Sequence, residues 1–397
     1  MASTPYGRQD INEHDAEAVC AALRSDYLTQ GPIVPEFERA LSSVCGSNHA
    51  VAVNSATSAL HLACLALGVG PGDLVWTSPI SFVASANCAL YCGATVDFVD
   101  IDPRTYNLSV SALEEKLQLA QSAGRLPKLL IAVHMCGQAC DMRDIFTLSQ
   151  KYGFKVIEDA SHAIGGRYLG SPIGDCRYSD VTIFSFHPVK IITTGEGGAA
   201  LTNDLDLAKT MVRLRSHGVT REPSEMQGDT IAQPWYYQQI ELGFNYRMTE
   251  LQAALGLSQM NRLESFVDRR HTLADYYDSL LVDLPAWTPW RNPDCFSSFH
   301  LYVLRIPLEN NGPDRNIVYW RLRRASITAN LHYIPIYRHP FYARKGYRPE
   351  EFPESESYFA EAITLPLYPG LTHEEQARVV QEMRLNEPQT KNEVTSL

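Results

Sequence analysis

Between about residues 46 and 255 the chain alternates short, mostly apolar runs with longer segments whose apolar residues recur at helical spacing. Few folds accept that pattern. The runs His49 to Val53, Leu74 to Ser78, Thr95 to Val99, Lys128 to Val133, Phe154 to Asp159 and Val181 to Phe184 are bounded by turn-forming or helical stretches. A strand that is apolar on both sides is covered on both faces, so the alternation predicts an α/β fold with a mainly parallel sheet between helices. Gly68-Val69-Gly70-Pro71-Gly72-Asp73 follows a helical pattern instead of opening one. It therefore reads as helix termination and not as a dinucleotide fingerprint.

A chain of 397 residues exceeds what one hydrophobic core usually supports. The expected units are an N-terminal arm and helix over 1–45, a large domain over 46–255, a small C-terminal α/β domain over 256–385 and a disordered polar tail over 386–397. Long helices are expected from Met248 to Leu281, and further helices over Asn316 to Ala325 and Thr372 to Leu385. Strands are expected over His300 to Ile306 and Ile327 to Tyr333.

Parallel sheets of this kind bind ligands at the carboxyl ends of their strands. Asp159 closes one apolar run, and Lys190 follows another in Phe184-Ser185-Phe186-His187-Pro188-Val189-Lys190, just before Thr193-Thr194-Gly195-Glu196-Gly197-Gly198. Neighbouring strand ends then offer a carboxylate and an amine, the pair that pyridoxal phosphate chemistry requires. The bland alternatives are a helix N-cap for Asp159 and a solvated surface charge for Lys190. A third element is Asn54-Ser55-Ala56-Thr57-Ser58, a turn rich in capping residues before the stripe Ala59, Leu60, Ala63, Cys64 and Leu67. Free backbone N–H groups and the helix dipole at such a start favour a phosphate dianion, although a simple N-cap explains the same residues.

These pieces together resemble the DegT/DnrJ/StrS sugar aminotransferase family. The motifs that carry the likeness are Asn54 to Leu60, Pro79-Ile80-Ser81-Phe82-Val83-Ala84, Glu158 to Ala163, Ser185 to Lys190, and Gly243-Phe244-Asn245-Tyr246-Arg247-Met248. The similarity runs from Tyr6 to about Pro369. Within the family, Ser185 to Lys190, Leu28-Thr29-Gln30-Gly31 and His332 to Tyr337 look most like the pseudaminic acid branch, with Ile191 departing where that branch often has proline. The resemblance implies a fold-type I pyridoxal phosphate enzyme. It would move an amino group from glutamate to C4 of a UDP-linked 4-keto-6-deoxy-N-acetyl-hexosamine, the alternative being a dTDP- or GDP-linked keto sugar.

By the same resemblance, Lys190 would bind the cofactor covalently and shuttle the proton, and Asp159 would pair with its ring nitrogen. Phe82 would cover one ring face, and His162 would lie near the ring hydroxyl. Ala56, Thr57, Ser58 and Ser185 would hold the phosphate, with Asn245 reaching it from the partner of a homodimer with shared active sites. Tyr6, Asp26, Tyr27, Leu28 and Thr29 look like the substrate-side loop, joined by His187, His332 and Tyr333. The family's deoxygenases look to have histidine where Lys190 stands, so this lysine argues against them. An intact Lys190 and Asp159 argue against a silent regulatory relative.

The formal net charge is 34 − 45 = −11. That balance, with no basic cluster bearing interleaved aromatics, argues against a nucleic-acid binder. Arg221, Arg247 and Arg338 are the cations available for a substrate diphosphate. Nine cysteines without a Cys-x-x-Cys pair predict reduced thiols and no metal site, with Cys88/Cys92 and Cys136/Cys140 each on one face if helical. Neither a signal-peptide pattern nor a long apolar run is found, so a cytoplasmic protein without a membrane span is expected. Arg221 to Gln239 reads as a mobile lid or a dimer contact.

Overall fold

The computed structural model describes residues 3–228, 233–307 and 314–384. Seven strands form the main sheet: β1 (His49–Val53), β2 (Leu74–Thr77), β3 (Thr95–Phe98), β4 (Leu129–Val133), β5 (Lys155–Asp159), β6 (Val181–Ser185) and β7 (Gly198–Thr202). Their order is β1-β7-β6-β5-β4-β2-β3. Every pairing from β6 through β5, β4 and β2 to β3 is parallel, whereas β7 runs antiparallel to both β6 and β1. The apolar runs therefore became strands because both of their faces are covered. Two separate apolar clusters pack on the sheet, one around Phe37, Trp76 and Phe184 and one around Phe98, Ile131 and Ile183.

Strand β7 is absent from the sequence expectations. Gly-Ala-Ala-Leu-Thr opens with three small residues that favour strands little and has one β-branched residue, Thr202, so pairing on both sides makes it a strand. Its register positions the site. Gly198 lies opposite Val53 on one side and Ser185 on the other. That places the turn after β1 and the end of β6 side by side.

The N-terminal arm carries α1 (Glu13–Leu23) and α2 (Ile33–Cys45). Helix α1 opens with an Asn12/Asp15 capping box, and the fully buried Asp15 also accepts from Ser258, Gln259 and Arg262. One carboxylate thus caps its own helix and ties the arm to the body. Helix α3 (Ala56–Ala66) starts at Ser55, whose hydroxyl accepts from Ser58 N at 3.1 Å, and ends before Gly68 at φ 74°. The glycine-rich segment is thus the helix stop that the sequence predicted.

The bridging helices run over Glu250–Met260 and Leu263–Leu281. Beyond them, β8 (Tyr302–Arg305) pairs antiparallel with β9 (Ala362–Leu365), and both pack with helices Arg315–Arg324 and His373–Arg384 around a third core containing Tyr277, Tyr302 and Leu322. The expected strand over Ile327 to Tyr333 does not form. The segment makes only single bridges, Ile327 to Thr4 and Asn330 to Thr364, because it passes between two partners without running along either. Cys136 and Cys140 are not helical neighbours either, since Cys136 sits in a tight turn at φ 62°. All nine cysteines are free. Among the described residues no cluster of histidine, cysteine or carboxylate is placed to hold a metal, and no helix is long and apolar enough to cross a membrane. The expected tail over 386–397 lies outside the described residues, as do residues 229–232 of the Arg221 to Gln239 loop.

Candidate active site

The ends of β1, β4, β5 and β6 open onto a cavity of about 870 Å³, closed from the other side by residues 330–334. This size suits a cofactor with a small substrate. Asp159 ends β5, in register with Val133 of β4 and Ile183 of β6. It is buried, and no helix follows it, which removes the N-cap reading. Its Oδ1 accepts from Ser161 N at 3.2 Å and Ser161 Oγ at 2.6 Å, and its Oδ2 accepts from Ser85 Oγ at 2.7 Å. Three donors hold the carboxylate in one orientation.

Lys190 stands in the turn after β6 and lines the same cavity. Burial pushes its ammonium down to about 8, against the opposing pull of Asp159. A lysine with a depressed value offers a usable fraction of neutral amine near physiological pH, which a solvated surface lysine does not.

Ser55, Ala56, Thr57 and Ser185 line one end of the cavity, brought together by the register around Gly198. Ser58 does not line it. Its hydroxyl donates to Asn54 Oδ1 at 2.7 Å and lies 2.9 Å from Ser55 Oγ, so it stiffens the turn from behind. Phe82 is 59% exposed and faces the cavity. His162 is buried on the wall, its Nε2 3.2 Å from Tyr333 OH and its Nδ1 without a partner. Burial first, then Lys190 and His332, hold its imidazole well below the usual histidine range.

Tyr6, His187, His332 and Tyr333 also reach the cavity. His332 has both nitrogens occupied, Nδ1 by Thr364 Oγ1 at 2.9 Å and Nε2 by Asn330 Nδ2 at 3.4 Å, and burial pushes it down to about 3. It is a neutral wall residue. Asp26, Tyr27, Leu28 and Thr29 stand away from the cavity of their own chain, on exposed backbone. Asn245 is likewise exposed and outside it. Of the three arginines suggested for a diphosphate, Arg338 is paired with Glu356, and none lines the cavity.

Several residues in or behind the cavity wall carry no sequence signal of their own. Ser85 is legible only as the i+4 partner of Ser81, whose Oγ lies 2.7 Å away. His300 enters from the approach to β8, its ring 4.4 Å from that of His162. Val133, Glu196 and Asn330 also line the cavity. A buried carboxylate, a lysine of lowered basicity, a hydroxyl-lined helix start and an unpartnered buried imidazole nitrogen form a donor set that fits pyridoxal phosphate.

Fold and site thus define an enzyme of the pyridoxal phosphate aminotransferase class. The chain belongs to the DegT/DnrJ/EryC1/StrS aminotransferase family, which it matches over residues 9–384. It is 34% identical to the UDP-4-amino-4,6-dideoxy-N-acetyl-beta-L-altrosamine transaminase of Campylobacter jejuni (strain NCTC 11168), covering 91% of this chain and 92% of that one. It is 35% identical to the GDP-perosamine synthase of Caulobacter vibrioides over 94% of this chain and 95% of that one. Among solved structures, a putative sugar aminotransferase from Streptococcus pneumoniae in its pyridoxal phosphate form superposes with a TM-score of 0.85 at 29% identity, over 96% of this chain and 98% of that one. The family resemblance read from five motifs is therefore correct. The protein is a pyridoxal phosphate-dependent sugar aminotransferase with a mixed, mainly parallel sheet.

Proposed function

We propose that this enzyme transfers the amino group of glutamate to C4 of a UDP-linked 4-keto-6-deoxy-N-acetyl-hexosamine. The observation that carries transamination is the shared cavity of Lys190 and Asp159. The choice of sugar is supported by the runs Ser185 to Lys190, Leu28 to Gly31 and His332 to Tyr337, and by the likeness to the altrosamine transaminase. The similar identity to GDP-perosamine synthase makes a GDP-linked 4-keto sugar the second reading.

In this reading Lys190 Nζ makes the covalent link to the cofactor. Its amine, of lowered basicity, would accept and return the proton at the amino-bearing carbon of the substrate. Bound pyridoxal phosphate supplies the electron sink that stabilises negative charge at the amino-bearing carbon. Asp159 favours a protonated ring nitrogen, with Ser85 and Ser161 keeping its carboxylate in place. Phe82 flanks the ring, Ala56, Thr57 and Ser185 receive the phosphate, and His187 and Tyr6 face the sugar.

Lys190 is the sole lysine or arginine on this wall among the described residues, although a nucleotide diphosphate and a dicarboxylate donor are both anionic. The remaining cations and Asn245 come, in this proposal, from a second subunit. Mass spectrometry of products from a panel of UDP-, dTDP- and GDP-4-keto-6-deoxy sugars tests the substrate. A turnover preference for a non-UDP sugar overturns the first reading and retains the enzyme class.

A further inference from the structure

We infer that Tyr333 is a positioning residue whose O–H donates to His162 Nε2, fixing His162 as the tautomer that keeps its proton on Nδ1. Only the consequence for the cofactor rests on the function proposed above.

The contact itself is a Tyr333 OH to His162 Nε2 distance of 3.2 Å. Burial, then Cys136, Tyr6 and Asp159, hold the phenol far above its usual range, so it stays protonated. The imidazole is neutral, since burial beside Lys190 and His332 opposes a second positive charge. Two arrangements of the shared proton are then possible. If Nε2–H donates to the phenol oxygen, the phenol proton has no acceptor among the described residues and the buried Nδ1 lone pair has no donor. If the phenol donates to Nε2, a single buried group is left unmet, the Nδ1–H. The second arrangement leaves one polar group without a partner among the described residues instead of two and is favoured.

The surroundings hold this arrangement in place. The rings of Tyr333 and His162 are nearly parallel, 23° apart with centroids at 6.1 Å. Next along the chain, His332 is fixed through both nitrogens and through its carbonyl, which accepts from Tyr358 OH at 2.5 Å. His300 packs on His162 at 4.4 Å, tilted by 50°, and its own Nδ1 is also without a partner. Lys190, Asp159, Cys136, His300, His332 and Tyr6 are thus the titratable groups around the pair. A side chain from the 330–334 segment thereby sets the protonation pattern of one in the turn after β5. The Nδ1–H it leaves is a buried donor without a partner, which would be available to an acceptor on a bound pyridoxal ring.

The test begins without cofactor. In long-range ¹H–¹⁵N spectra of ¹⁵N-histidine-labelled apoprotein, with His162 assigned through His162→Gln, Nδ1 is expected to be the protonated nitrogen and the ring is expected not to titrate between pH 6 and 8. A proton on Nε2, or a ring that titrates in that window, overturns the inference. Tyr333→Phe keeps the stacked ring and removes the donor. It is expected to shift His162 to a mixture of tautomers, to move the pH midpoint of the lysine-bound cofactor's absorbance band and to weaken cofactor binding about threefold to tenfold. A His162 tautomer unchanged in Tyr333→Phe also overturns it, and should that variant fail to fold, the wild-type spectra decide alone. Failure of borohydride to trap cofactor on Lys190 would instead sink the function proposed above, leaving the apoprotein result standing.

Discussion

Lys190 lies in a setting that taxes its charge, and its reactivity should show this at the residue scale. A neutral amine is needed to capture an aldehyde, and burial pushes this ammonium down to about 8. At pH 7 about one amine in ten is then neutral, against fewer than about one in a thousand for an ordinary lysine. Stopped-flow capture of pyridoxal phosphate by apoprotein should therefore rise about tenfold from pH 7 and level off above about 8 to 9. A rise that continues unbroken toward pH 10 would show an unperturbed lysine. Lys190→Ala should keep some cofactor through Asp159 and the phosphate contacts yet lose turnover, and borohydride labelling should fall on a Lys190 peptide in the wild type. Asp159→Asn keeps the shape and removes the charge. An opposite charge moves a partner's pKa by about 1–3 units, so turnover should fall about 10- to 1000-fold, with weaker cofactor binding seen in dialysis. Full activity would mean the ring nitrogen has another partner.

At the scale of elements, the phosphate end of the site depends on how closely β7 approaches the start of α3. A Cβ on Gly198 would lie 2.4 Å from Ala56 N and 2.6 Å from Ala56 Cα, both backbone atoms that give way only if the helix start moves. Gly198→Ala should destabilise the apoprotein by about 1–3 kcal/mol in chemical denaturation. It should also weaken cofactor binding, since Thr57 and Ser185 separate. Gly70→Ala is the control. Its Cβ meets nothing within 4 Å, and its effect should stay within about 0.5 kcal/mol. Equal effects of the two substitutions would refute a role for the close approach.

For the whole molecule, the exposed stretch around Asn245 suggests a shared site. Residues 245, 247 and 249 bridge in turn to Ser216, Val53 and Thr29, so Asn245 and the Asp26 to Thr29 loop lie along one segment. Tyr27, Leu28 and Leu242 expose large apolar side chains beside it, as a face covered by a second copy does. A mixed dimer of Lys190→Ala and Asn245→Ala subunits contains one site with neither defect. Random mixing should recover about a quarter of wild-type activity from two impaired parents, since half the dimers are mixed and half their sites intact. No recovery after confirmed subunit exchange would place Asn245 in its own chain's site or outside the site.

The sequence by itself determined six of the seven strands of the main sheet, the helix stop at Gly68 and the placing of Asp159 and Lys190 at neighbouring strand ends. Periodicity, caps and glycines act over a few residues, and for His49–Val53 or Lys155–Asp159 those local signals agree with the packing. The motifs also sufficed for the family. Tertiary structure decided the rest. Gly198–Thr202 became a strand only because β1 and β6 flank it, and Ile327 to Tyr333 failed to become one because its possible partners touch it at single points. The same holds for the site. Ser85 on Asp159, His300 against His162 and Tyr333 on His162 are contacts across 74, 138 and 171 positions (159 − 85, 300 − 162 and 333 − 162). No local pattern encodes which side chains meet at such separations, because the meeting is fixed by strand order and by the burial of many residues at once.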